Sequence, residues 1–124
     1  MSRIDNSYDL EERTSRFGER VVSFCKGLKQ DSVTKPIITQ LVRSATSIGA
    51  NYMEANAASS KRDFANRINI CRREAKETLH WLRMIKICFS DKKEEIIVLW
   101  QECKELVLIF AKINSSLKKI NAKI

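Results

Sequence analysis

The chain has 124 residues, 44% hydrophobic and 31% charged, with a formal net charge of +8. That length buries one core and excludes two independent domains, while one Pro and three Gly among abundant Leu, Ile, Ala, Lys, Arg and Glu point to an all-α class. The excess of 23 basic over 15 acidic residues favours a polyanionic partner.

The N-terminus, MSRIDNSYDLEER, lacks the apolar stretch of a secretory signal. Helix one is predicted over about Tyr8 to Leu28, with Leu10, Phe17, Val21, Phe24 and Leu28 on one side. A connection from Gly27 to Thr34 follows. Thr34 is the expected N-cap of helix two, and Pro36 is tolerated in its first turn. The seam of helix two is Ile38, Leu41, Ala45, Ile48, Tyr52 and Ala55.

Helix three is predicted to start at Ser60, with Asp63 three residues on as a variant capping box. Its seam runs Phe64, Ile68, Cys71, Ala75, Thr78, Leu82, Ile85 and Phe89. Helix four starts at Asp91, with Glu94 at the N3 position, and repeats Ile96, Leu99, Cys103, Leu106, Phe110, Ile113, Leu117 and Ile120. Its most apolar stretch, IIVLWQECKELVLIF, is broken by Glu102, Lys104 and Glu105, so it does not span a bilayer. Short connections make sequential helices antiparallel neighbours, and the expected architecture is an antiparallel up-down-up-down four-helix bundle over residues 1–124.

Helix three carries two further sides. Arg62, Asn69, Arg72, Arg73, Lys76, His80 and Arg83 fall on one flank and the back, and residues 59–89 hold eight basic against three acidic groups. Arg62, Arg72, Arg73, Lys76 and Arg83 are therefore the candidate phosphate contacts. The opposite flank holds Ile70, Trp81, Met84 and Cys88 beside Glu74 and Glu77. An apolar strip in line on a helix flank suggests a subunit contact, and a wide core with Trp81 tucked against a neighbouring helix is the other reading.

Residues 43–55, RSATSIGANYMEA, are unusual for a helix, with Ser, Thr or Asn at four positions and only Arg43 and Glu54 charged. On the helical wheel Gln40, Arg43, Ser44, Ser47, Asn51 and Glu54 gather away from the seam, where a solvated face more often carries Lys and Glu. They are read as a packing and recognition face.

Other chemistry finds little support. Glu77-Thr-Leu-His80 has the spacing of a di-iron ligand pair, yet His80 is the only histidine and no second pair exists. Cys25, Cys71, Cys88 and Cys103 show no CxxC spacing and lie within helical patterns, as reduced thiols of a cytoplasmic protein do. No P-loop, GxGxxG, helix-turn-helix or zinc-finger spacing is present, so no enzyme activity, cofactor or base-specific readout is expected.

QLVRSATSIGANYMEA, followed by SSKRDFANRINICRREAKETLHWLRMI, resembles the signature of the four-helix bundle proteins encoded by intervening sequences in bacterial 23S ribosomal RNA genes, the S23 family. The likeness runs through about residues 38 to 86. It implies an antiparallel bundle that assembles into a homo-oligomer, a ring of five, and kinship with the accessory variability protein of diversity-generating retroelements. That kinship brings nucleic acid and a reverse transcriptase as expected partners. Many relatives have Gly where this chain has Ala55, which favours continuing helix two by another turn. The expected function is non-enzymatic binding of structured RNA or DNA, and the competing one is a protein-interaction module using the helix-two face.

Overall fold

Apolar residues spaced three and four apart give each helix one face to bury, and burial follows that spacing in the computed structural model, which describes the backbone of residues 6–123 and the side chains of residues 10–119. The helices are α1 (Asn6–Lys26), α2 (Thr34–Asn56), α3 (Lys61–Cys88) and α4 (Lys93–Lys123), with a 3-10 turn at Ser90–Lys92 ahead of α4. They form the antiparallel four-helix bundle that the short connections demand. Every seam residue expected on α2 is buried, as are six of the eight expected on α3, with Phe64 and Phe89 half-buried at its ends. Ile120, expected on the α4 seam, lies outside the residues whose side chains are described.

The centre of the core is filled by Phe17, Val21, Leu41, Ile48, Ile68, Leu82, Ile96, Leu106 and Phe110. Each such side chain contributes roughly 1.5–3 kcal/mol through removal from water. Tyr52 of α2 reaches Phe110 of α4 across the bundle, with ring centroids 6.2 Å apart. Two thiols also join helices: Cys71 Sγ lies 3.7 Å from the Ile48 carbonyl and Cys103 Sγ lies 3.2 Å from that of Ala75.

The helix ends correct three expectations. Thr34 does not cap α2. Asp31 does so instead, its Oδ1 accepting from the N–H groups of Val33 at 2.9 Å and Thr34 at 2.8 Å. Thr34 Oγ1 accepts in return from the Asp31 N–H at 2.9 Å, so the two make a reciprocal box with Asp at the cap and Thr three residues on. These backbone donors hold the Asp31 carboxyl below its ordinary range. The extra turn beyond Ala55 does not form, since α2 stops at Asn56. Before α4, residues 90–92 form a 3-10 turn instead of a first α-helical turn. Ser60 caps α3 as its spacing predicts, accepting from the Asp63 N–H at 3.1 Å.

α1 and α2 approach closely through two glycines. A methyl on Gly49 would stand 3.4 Å from backbone atoms of Thr14 and Ser15, and one on Gly18 would stand 3.5 Å from Cα of Thr46. α1 and α4 meet over a much shorter stretch. Arg13 ties them there, with Nε at 2.7 Å and Nη2 at 2.8 Å from the two Glu102 oxygens and Nη2 at 2.6 Å from Glu105. This paired geometry holds the Arg13 guanidinium more firmly protonated than usual.

Candidate nucleic-acid interface

α3 lies between α2 and α4, so its two flanks meet different neighbours. On the α2 side, Arg43 Nη2 is 2.5 Å from Glu77 Oε2 and 3.4 Å from Glu74 Oε1. Glu77 Oε2 also accepts from Trp81 Nε1 at 3.2 Å. Donation from Trp81, then from Arg43, keeps the Glu77 carboxyl below its ordinary range. Arg67 joins the same seam, its Nη1 lying 3.5 Å from Asn51 Oδ1.

The helix-two face is thus divided. Ser44 is not on it: the residue is fully buried, its Oγ accepting from Thr78 Oγ1 at 2.9 Å. One hundred degrees per residue places Ser44 at the border of the seam, and α3 packs over that border. Gln40, Ser47 and Asn51 are half-buried, while Arg43 and Glu54 are exposed. Ser47 Oγ donates to the Arg43 carbonyl at 2.7 Å and Asn51 Nδ2 to the Ser47 carbonyl at 2.8 Å, so both side chains turn back onto their own helix. Much of the small, uncharged character of residues 43–55 serves packing inside the chain, with Ser44 against α3 and Gly49 against α1.

Apart from Arg67, the basic residues of α3 lie elsewhere. Arg62, Arg73, Lys76 and Arg83 are exposed, and none of them enters an ion pair among the described residues. Arg72 is half-buried, with its Nε withdrawn from solvent and meeting no acceptor among the described residues. The two glutamates of α3 pair with Arg43 on the α2 side, and the outer and α4-facing surface is positive. Acid and base are segregated around one helix.

Ile70, Trp81 and Met84, expected on an apolar strip, are all half-buried. Trp81 packs against the core, meets His80 edge to face at 4.8 Å and donates to Glu77, contacts that engage it within the chain. Among the described residues no group of three or more His, Cys, Asp or Glu side chains is placed to share a metal ion. No helix of the described residues is long and apolar enough to cross a membrane.

Several residues escaped the sequence reading. Arg67 was counted only in a charge sum, and Trp100 and Lys86 were assigned no role. Yet Leu82, Arg83, Lys86, Ile96, Ile97 and Trp100 line a groove of about 460 Å³ between α3 and α4. The i, i+3 spacing of Arg83 and Lys86 is a legible signal, whereas their place in one groove with Trp100 needs the bundle register.

An antiparallel four-helix bundle with one strongly basic outer helix defines a class of small all-α scaffold. Residues 7–117 match the family model of the 23S rRNA-intervening sequence protein, and the chain belongs to that family. It is also similar to the crystal structure of a protein of unknown function from the S23 ribosomal protein family of Bacteroides thetaiotaomicron, with 29% identity and a TM-score of 0.75. That likeness covers 85% of this chain and 97% of the other. No curated protein matches it.

Proposed function

We propose that this protein is a non-enzymatic nucleic-acid binder that contacts the phosphate backbone through the outer face of α3. The observation that supports this most is the segregation of charge: Arg62, Arg73, Lys76 and Arg83 are exposed without carboxylate partners among the described residues, while Glu74 and Glu77 pair with Arg43 on the opposite flank. Guanidinium groups so placed suit phosphate oxygens and carry no sequence information. A homo-oligomer, a ring of five by resemblance, would repeat the patch and convert weak single contacts into avid binding. The test is fluorescence anisotropy with labelled RNA and DNA across a salt series. Affinity should fall steeply with salt and drop further in Arg73→Glu with Lys76→Glu. Affinity indifferent to both changes overturns the reading.

A second reading has its own support on α2. Thr39, Thr46 and Ser47 donate to carbonyls of their own helix, and Met53 of the same helix is 56% exposed. Such a low-charge surface with its donors satisfied suits a protein partner. Co-purification of a partner that survives nuclease and moderate salt, and is lost in Met53→Glu, would support it.

A further inference from the structure

The groove between α3 and α4 differs in charge from those on the other side of α4. The α1/α4 grooves mix charges, with Glu19 and Glu95 beside Arg20 in one and Glu12 and Glu102 beside Arg13, Arg16 and Arg20 in the other. The α3/α4 groove has no carboxylate in its lining and two cations, Arg83 and Lys86, neither in an ion pair among the described residues. Its floor is apolar, with Leu82 and Ile96 buried, and the half-buried indole of Trp100 forms part of the wall. Its volume of about 460 Å³ lies within the range of roughly 300–1,000 Å³ typical of sites for small organic groups.

An apolar slot with an aromatic wall and a cationic rim is suited to a flat ring attached to an anion. We propose that this groove receives an unpaired base of a single-stranded nucleic acid beside Trp100, with its neighbouring phosphates on Arg83 and Lys86. The proposal rests on the backbone-binding reading above and narrows its substrate to strands with at least one unstacked base. Arg72, Lys76, Arg83 and Lys86 recur along the α4-facing side of α3 over about 21 Å of helix rise, a track for the backbone on either side of the bound base. A fully paired duplex keeps its bases stacked inside and meets only the charges. Stacking on an indole is tolerant of base identity, so the preference is for single strands and not for a sequence.

The experiment compares a short oligothymidylate with a duplex of equal length, on the full chain and on Trp100→Leu. The variant should bind the single strand roughly tenfold more weakly. Its duplex affinity and the salt slope should be unchanged, and Trp100→Phe should recover most of the loss. Should Trp100→Leu fail to fold, Trp81→Phe leaves Trp100 as the sole indole, and saturating oligothymidylate should quench its fluorescence. Equal losses on both ligands, no loss on either, or no quenching overturns the groove assignment alone. Absence of binding to either ligand by the unsubstituted chain overturns the backbone reading and the groove together.

Discussion

Ser44 of α2 and Thr78 of α3 are 34 residues apart in sequence and 2.9 Å apart at their hydroxyl oxygens, in a part of the interface from which water is excluded. Ser44 Oγ turns its own proton to the Leu41 carbonyl at 3.3 Å, and the Glu74 carbonyl lies 2.8 Å from Thr78 Oγ1. Each hydroxyl therefore keeps a backbone acceptor when the other is removed. Thr78→Val should cost about 1 kcal/mol in urea denaturation. Ser44→Ala with Thr78→Val should cost less than the sum of the single changes, and strict additivity would show that the pair does not interact.

The two glycines of the α1/α2 crossing should respond with opposite signs. Gly18 has room for a methyl group, and Ala there should stabilise the helix by about 0.5–1 kcal/mol. Gly49 stands against the Thr14 and Ser15 backbone, which cannot yield as a side chain can. Gly49→Val should destabilise by about 1–3 kcal/mol, and thermal melts of the two variants decide the matter.

Arg13 closes the bundle where α1 and α4 barely touch. Its side chain is 33% exposed and that of Glu102 is 19% exposed, so solvent screens the attraction in part. Arg13→Ala should lose about 1 kcal/mol, and the loss should shrink as salt rises. Arg13→Lys should recover only part, because an ammonium cannot make the two parallel bonds to Glu102. Full recovery by Lys would leave charge alone as the cause.

Acid should weaken the start of α2. The Asp31 carboxyl has its folded value lowered by the N–H groups of Thr34 and Val33, so the unfolded chain binds its proton first as pH falls. The contribution is present above the unfolded value near pH 4 and is lost as pH drops through the folded value. The stability difference between the native sequence and Asp31→Ala should therefore vanish at low pH. A difference constant from neutral pH to strong acid would contradict the cap.

Thiol labelling should separate the cysteines. Burial pushes Cys25 up to about 11 and Cys71 and Cys103 to about 12, which keeps them as unreactive thiols at neutral and mildly alkaline pH. Cys88 is half-buried at the end of α3. Mass spectrometry after alkylation of the native protein should show modification at Cys88 first, and the other three only on unfolding. Early labelling of Cys71 would mean that α2 opens from α3.

How far the sequence could be read differs between core and surface. Ile38, Leu41, Ala45 and Ile48, or Ile68, Cys71, Ala75 and Leu82, are legible because a period of 3.6 residues concentrates them on one side whatever the neighbours are. The basic flank of α3 is legible for the same reason. Ser44 is fully buried where the helical wheel places it away from the seam, because it sits at the edge of its stripe, where the neighbouring helix decides whether the residue is covered. Asp31 was overlooked as the α2 cap because Asp and Thr are both competent caps and only the backbone path distinguishes them.

The amino-acid sequence alone determined that this chain forms four helices, which face of each turns inward, and that α3 carries the positive charge. Those properties are local, arising from side chains a few residues apart on one element. Tertiary structure alone decided that Arg43 pairs with Glu74 and Glu77, that Arg13 reaches Glu102, and that Trp100 lines one groove with Arg83 and Lys86. Each of these joins residues on different helices, and their distances are set by the register and rotation of whole helices, which no single helix encodes.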